Sequence, residues 1–366
     1  MHNQNPVNGA ADAGGLMADQ SSDEELRRAF AELGFITISN KLIPVLRQAG
    51  KAARVSDITV LLEGETGTGK QVLAYAIHQL DQKRKSFPFV TVHCGTINEA
   101  LVESEFFGHE RGAFSGAAIE RKGLFQTAHR GTLFLDDVND LPPALQPKLL
   151  DVLQRSVVRA LGSDREVSVD VRIISACNRP LTPLIQQNRF RADLYHRLNV
   201  VKLLLPPLRE RPQDLAVLIL AFARRHGHIF PGIASIEPEL VQFLERQAFE
   251  GNVRELEHAV ERMLFGKTEG TSFELSDWMA HCGTEAGDLR DWIGEAADRL
   301  SNAIFERGLP YGQAIQQIEA RVLEIALSRG GGTRREIAAR LQTSERTLYH
   351  KMRVHRMRQL HADSAS

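Results

Sequence analysis

Gly64-Glu65-Thr66-Gly67-Thr68-Gly69-Lys70 follows the apolar stretch 57–62 and precedes residues 71–80, which have helical spacing. This is G-x-x-x-x-G-K set between a strand and a helix. There the glycines let backbone N–H groups wrap a β-phosphate, and the lysine ammonium supplies a point charge to the β and γ oxygens. A chance glycine-rich turn seldom has both flanks, so Gly64, Glu65, Thr66, Gly67, Thr68, Gly69, Lys70 and Gln71 are expected to cradle a nucleotide. Gln71 stands where such loops usually carry Ser or Thr, so water must take the coordination place a hydroxyl would fill on Mg²⁺. Further along, Leu133-Phe134-Leu135 ends in Asp136-Asp137. A carboxylate at a strand end can hold the Mg²⁺ hydration shell, the role expected of Asp136, and Asp137 is the candidate for polarising the attacking water. An isolated Asp pair is more often a cap or turn; its distance from the phosphate loop favours the catalytic reading. The expected ligands are ATP and Mg²⁺.

The surrounding segments alternate. Residues 88–94, 132–138 and 169–176 are short β-branched or apolar runs separated by helical stretches, which predicts an α/β fold with a parallel sheet covered by helices on both faces. Pro206-Pro207 breaks the rhythm. From there to Phe265 the spacing is helical throughout, with Leu215, Leu218, Ile219 and Phe222 on one face. The nucleotide-binding domain is therefore assigned to 33–265, its α/β part ending near 205 and a helical lid filling 206–265. Residues 1–32, rich in Gly, Ala, Ser, Asn and Asp, are expected to be a disordered tail ending in a short helix from Ser22 to Leu33, with no room for a sensory domain ahead of the ATP site. Residues 266–308, with Trp278, Trp292 and a candidate helix at 289–305, are expected to be a linker, and 309–360 a final helical unit.

The composition is that of a soluble protein: 366 residues, 43% hydrophobic, enough for a large core. The longest apolar run, 215–223, is too short to cross a bilayer, and the N-terminus lacks a signal-peptide pattern. No membrane association and a cytoplasmic location are expected. Cys94, Cys177 and Cys282 are far apart, so a disulfide framework or a zinc site is not indicated and each should be a buried small hydrophobe. The formal charge of −1 hides an asymmetry. Residues 329–360 hold nine Lys and Arg against Glu336 and Glu345, a basic end on an acidic body. That pattern points to a nucleic-acid module.

Within the basic end, residues 333–341 read as a short helix, 342–344 as a turn with an N-cap, and 345–355 as a second helix. Ile337, Ala338, Leu341, Leu348 and Met352 supply the packed faces, leaving Arg346, Thr347, Tyr349, His350, Lys351 and Arg353 outward. This is a helix-turn-helix whose second helix would enter the major groove of double-stranded DNA. The preceding helix, 313–327, is expected to make a dimer contact through Ile315, Ile318, Val322, Ile325 and Ala326, which implies an inverted-repeat site.

Between the phosphate loop and the Asp pair lies Phe107-Gly108-His109-Glu110, followed by Gly112-Ala113-Phe114-Ser115-Gly116-Ala117. With these residues the chain resembles the bacterial enhancer-binding proteins, the AAA+ ATPases that activate sigma-54 RNA polymerase. The resemblance runs from about Gly64 to Arg262 and resumes at the C-terminus, which resembles the family's Fis-like domain. It implies an AAA+ fold with a lid, a contact of residues 112–117 with sigma-54, and assembly from dimers into a ring, usually a hexamer. Asn178 resembles the family's γ-phosphate sensor, Arg191 and Arg197 its arginine fingers, and Arg254 its lid arginine. Lacking a receiver domain, the chain resembles the phage-shock and hrp types, which are controlled by a regulatory protein partner or by their own abundance. Its departures from the family pattern are Gln71, Asp137 for a Glu, His93 for an Asn, Cys177 for a Thr, and Ser115 for a Thr. The expected function is an ATP-driven activator of sigma-54 RNA polymerase; the alternative is a DNA-binding regulator that uses nucleotide only as a switch, with a general AAA+ remodeller third.

Overall fold

The computed structural model describes residues 11–95, 101–114, 117, 119–282 and most of 297–355. They form two compact units, one ending at Cys282 and one beginning at Gly283.

Five parallel strands organise the first unit: β1 (Val60–Glu63), β2 (Phe89–His93), β3 (Thr132–Asp136), β4 (Arg172–Cys177) and β5 (Val201–Leu204), in the order β2-β3-β4-β1-β5. Adjacent residues point to opposite faces, as the two-residue strand period requires. Leu61, Leu133, Leu135 and Ile173 enter one core cluster, while Val60, Leu62, Phe134, Ile174 and Ala176 enter the other. Both faces are therefore covered, and the strands read as continuous apolar runs. Helix α1 (Ala11–Glu32) brings Phe30 into the second cluster, as do α2 (Ile43–Arg54) and α3 (Lys70–Leu80). Where the sequence led us to expect a tail and a short helix from Ser22, the helix thus begins at Ala11; residues 1–10 lie outside the described residues.

Charge is also buried beneath the sheet. Arg172 at the start of β4 and Asp81 after α3 form a fully buried pair at 2.6 Å. The Arg172 guanidinium also donates to the Ala52 carbonyl at 2.7 Å, and Asp81 accepts from Ser56 and from the Lys83 N–H. These bonds offset the desolvation of both ions.

The lid is built on α4 (Asp214–Arg225), with Leu215, Leu218, Ile219 and Phe222 buried as their spacing predicts, and α5 (Asn252–Gly266). It does not stop at Phe265. Ser272–Phe273 pairs with Ser235–Ile236, and helix Leu275–His281 seats Trp278 against Phe243 and Phe249. The lid therefore runs to Cys282, into the segment read as linker. The apolar residues there are too widely spaced to show a period. Most of the candidate helix at 289–305, with Trp292, lies outside the described residues. Cys94, Cys177 and Cys282 are all buried and free. Among the described residues no helix is long and apolar enough to cross a membrane.

In the second unit, helix Tyr311–Arg329 precedes helices Arg334–Arg340 and Glu345–Val354. Thr333 and Ser344 cap the two shorter helices, each accepting from the N–H three residues on. Leu323, Ile337, Ala338, Leu348 and Met352 form the core, with Leu341 partly buried against it.

Candidate functional site

The phosphate loop joins β1 to α3. Gly67 and Gly69 have left-handed φ values of 78° and 104°, conformations glycine adopts without steric cost. A Cβ on Gly67 would lie 2.1 Å from the Gly251 carbonyl oxygen of the lid, so only glycine fits between loop and lid. Lys70 begins α3 and turns its ammonium back into the loop, donating to the Gly64 and Glu65 carbonyls at 2.7 and 3.0 Å. Burial holds its pKa below the ordinary lysine value, against the pull of Asp136 and Asp137.

A cavity of 250 Å³ opens over this loop, lined by Thr66, Gly67, Gly69, Lys70, Gln71, His93, Asp136, Asp137 and Arg254, with Val72, Val253 and Glu257. The register of β2 and β3 sets His93 directly opposite Asp136. Their side chains meet at 3.1 Å, Nδ1 to Oδ2, while Asp136 Oδ1 accepts the Asp137 N–H at 3.1 Å. Asp137 has a left-handed φ of 53°, uncommon for a residue with a Cβ. Burial, and then the charge of Asp136, push its pKa up. The glycine cradle and buried lysine fit a polyphosphate, and the oxygen donors at the end of β3 fit a hydrated Mg²⁺, a cation that usually keeps several waters.

Other predicted residues lie elsewhere. Asn178, just after β4, is not in the cavity wall; its N–H donates to Asn139 Oδ1 at 3.3 Å. Arg191 and Arg197 are exposed and also outside the cavity wall. Arg191 is forked onto Asp193 at 2.7 and 3.0 Å, and Arg197 donates to the Leu153 carbonyl at 2.7 and 3.2 Å.

After helix Val102–Phe107, the loop at 112–117 lies between the two paired strands Gly108–His109 and Arg121–Lys122. The Gly112 N–H donates to the Ala117 carbonyl at 2.8 Å and the Ala117 N–H to the Phe114 carbonyl at 3.0 Å. Phe114 is half-buried, its ring edge-on to that of His109 at 5.0 Å. His109 is buried and held at both ring nitrogens, by Ser104 Oγ at 2.6 Å and the Ile119 carbonyl at 3.0 Å. A carbonyl only accepts, so Nε2 carries the proton. Ala113 packs under Gly162, where a Cβ would come within 2.9 Å of the alanine Cβ. Ser115 and Gly116 lie outside the described residues. Ile119 is 73% exposed beside this loop, a surface apolar residue that sequence reasoning had passed over.

In the second unit, Arg346, Thr347, Tyr349, His350 and Arg353 are exposed as predicted. The Thr347 hydroxyl is engaged with that of Ser344 at 2.7 Å, and Arg334 lies over the Tyr349 ring at 5.9 Å. Lys351 keeps its side chain partly exposed and is ion-paired with Glu319, which also binds His355 at 3.0 Å. A lysine stem can cover apolar surface while its charge meets a partner, and periodicity alone did not reveal that partner.

The five-stranded parallel sheet, the phosphate loop with its facing Asp pair and the helical lid closing over it define an AAA+ ATPase. Comparison with known families refines this class. Residues 35–204 match the sigma-54 interaction domain, 209–286 the AAA+ ATPase lid domain, and 314–354 the Fis family of bacterial regulatory proteins. The chain is 34% identical over 341 residues to the regulatory protein AtoC of Escherichia coli, covering 91% of this chain and 71% of AtoC. It is 43% identical over 276 residues to the DNA-binding transcriptional activator HyfR of E. coli, covering 73% of this chain and 41% of HyfR. It is 45% identical over 258 residues to the formate hydrogenlyase transcriptional activator FhlA of E. coli, covering 69% of this chain and 36% of FhlA. The chain thus spans well under half the length of those two relatives. Among solved structures it is similar to NtrX from Brucella abortus in complex with ADP, with a TM-score of 0.61 and 27% identity over 94% of this chain and 73% of NtrX. The chain belongs to the family of sigma-54-dependent transcriptional activators.

Proposed function

We propose that the protein binds an upstream DNA site through the helix-turn-helix, assembles into a ring, and uses ATP hydrolysis to drive the loop at 112–117 against sigma-54 in the closed polymerase complex. The observation that carries this reading is the division of the catalytic set. Lys70, Asp136, Asp137 and Arg254 meet in one cavity, while Arg191 and Arg197 face solvent outside it. Exposed arginines of this kind can enter the site of a neighbouring subunit, where a planar cation stabilises the charge that spreads over the γ-phosphoryl oxygens.

In the proposed cycle the phosphate-loop N–H groups and Lys70 bind the polyphosphate. Lys70 leaves the Gly64 and Glu65 carbonyls for the β and γ oxygens. Mg²⁺, held by Asp136 through water, would neutralise phosphate charge when bound. Asp137 orients the attacking water, Asn178 senses the γ-phosphate and Arg254 carries the change to the lid. The half-buried Phe114, lodged on His109, is then released toward sigma-54 together with Ala113, Ser115 and Gly116. On this reading the protein works in the cytoplasm, and a regulatory protein partner sets its activity.

Exposed Tyr311, Ile315, Ile318 and Val322, spaced along one face of helix Tyr311–Arg329, fit a contact with a second copy and hence a dimeric reader. A second reading, a nucleotide-switched regulator with little turnover, is favoured by Gln71 and by the short, left-handed Asp137. Lys70→Ala separates activity from binding: activation should be abolished while DNA binding persists, and unchanged activation would refute the mechanism.

A further inference from the structure

The lid touches the phosphate loop at every residue from Glu65 to Thr68. Asn252, the first residue of α5, makes two of these contacts, to Glu65 and Thr66. It is fully buried and has a left-handed φ of 55°. Its amide Nδ2 donates to the Thr66 carbonyl at 3.0 Å, Glu65 Oε2 at 3.2 Å and the Glu250 carbonyl at 3.3 Å. Its Oδ1 accepts the Leu208 N–H at 2.8 Å. Beside it the Val253 N–H donates to the Gly67 carbonyl at 3.0 Å, and buried Arg211 donates to the Thr68 carbonyl at 2.8 Å. At the rim Arg209 forks onto Glu65 at 2.6 and 2.7 Å, holding that carboxyl down to a pKa of about 2.

The side-chain chemistry explains why this residue is an asparagine. Glycine would accept the left-handed backbone but bind nothing. Aspartate would keep the acceptor for Leu208, lose both donors and set a second carboxylate against Glu65. Asparagine tolerates this backbone region better than most residues and carries donor and acceptor together.

We propose that Asn252 is the positioning residue that fixes the phosphate loop to the lid, so that the loop's shape and the lid's orientation change as one. The Glu65–Arg209 pair is the outer, solvent-exposed part of the same fastening. Occupancy of the phosphate loop then reaches the lid through the loop backbone, independently of Arg254. The inference rests on the nucleotide-binding reading above, and its test reads binding and lid movement without sigma-54 or DNA.

The experiment places dyes on cysteines introduced at Lys51 and Glu245, which are exposed on the α/β part and the lid, the native cysteines being buried. Energy transfer is compared at saturating ADP and at a saturating non-hydrolysable ATP analogue, and affinity is measured with a fluorescent ADP. The wild type should bind and show different transfer in the two states. Asn252→Gly should bind about tenfold more weakly, the equivalent of one net hydrogen bond to a charged group, and should lose the difference in transfer even when saturated. A merely structural asparagine would lower the melting temperature and keep that difference. If Asn252→Gly does not fold, Arg209→Ala at the exposed rim reads the same coupling and should reduce the difference. Wild-type affinity and response in the folded variants, or a wild-type lid indifferent to nucleotide, would overturn the proposal. Failure of the wild type to bind nucleotide would instead overturn the reading on which it rests.

Discussion

Gly67→Ala puts the closeness of loop and lid to the sharpest test. The new Cβ would lie 2.1 Å from the Gly251 carbonyl oxygen and 3.2 Å from Arg254 Cβ, at a φ of +78°. Relief to ordinary contact requires the lid to back away by about 1 Å or more. The Val253 N–H to Gly67 carbonyl bond, now 3.0 Å, would then stretch past the useful range of about 3.2 Å. The left-handed alanine costs about 1–2 kcal/mol and the lost bond about 1 kcal/mol. The closed arrangement should therefore lose about 2–3 kcal/mol, which weakens nucleotide binding by about 30- to 150-fold if that arrangement is the binding form. Gly112→Ala is the control, because its φ of +84° carries the same backbone cost but no described residue lies within 4 Å of the added carbon. The assay is titration with fluorescent ADP, alongside urea unfolding. Nucleotide affinity in Gly67→Ala equal to that in Gly112→Ala, which lies outside the cavity, would refute the reasoning, since the clash with Gly251 would then cost the site nothing.

Three further outcomes are expected. Lys70→Ala and Arg197→Ala proteins, each inactive alone, should regain part of the ATPase activity when mixed, because a ring then contains interfaces with an intact phosphate loop on one side and an intact arginine on the other; no recovery at any ratio counts against fingers acting between subunits. Ile318→Glu should convert the DNA-binding unit from dimer to monomer and weaken binding to an inverted-repeat site far more than to a half-site, as read by sedimentation and gel shift. His78 is buried with Nδ1 2.9 Å from Thr132 Oγ1, and burial lowers its pKa. The unfolded chain therefore takes up a proton below about pH 6.5 that the folded chain resists. Its contribution to stability is complete above that pH and falls away on acidification, with a slope of at most about 1.4 kcal/mol per pH unit. His78→Asn should flatten the decline in stability between pH 7 and 5, and an unchanged slope would show that His78 is not its source.

Much of the architecture was legible because its signals are local. The phosphate loop needs glycines at fixed places, Asp136 and Asp137 end an apolar strand, and the residue pattern of the helix-turn-helix matches its buried Ile337, Ala338, Leu348 and Met352. The contacts that close the site were not legible, because they join residues far apart in the chain. Nothing near Asn252 in the sequence predicts a left-handed backbone or a partner at Glu65, and Arg209 looks like any charge in a polar turn. The Lys351–Glu319 pair was equally hidden, since helical period reports a face and not the reach of a side chain from another helix. The lid's end was missed for a related reason: Trp278 and Cys282 are buried by strands and helices too short to show a period.

ATP turnover at this altered site is proposed to drive activation. This is tested most directly by measuring open-complex formation by sigma-54 RNA polymerase on a linear promoter, with purified protein and either ATP or a non-hydrolysable analogue. Opening with ATP and none with the analogue is the predicted result. No opening with ATP while the protein still binds its DNA site and nucleotide, or equal opening with the analogue, would contradict the account.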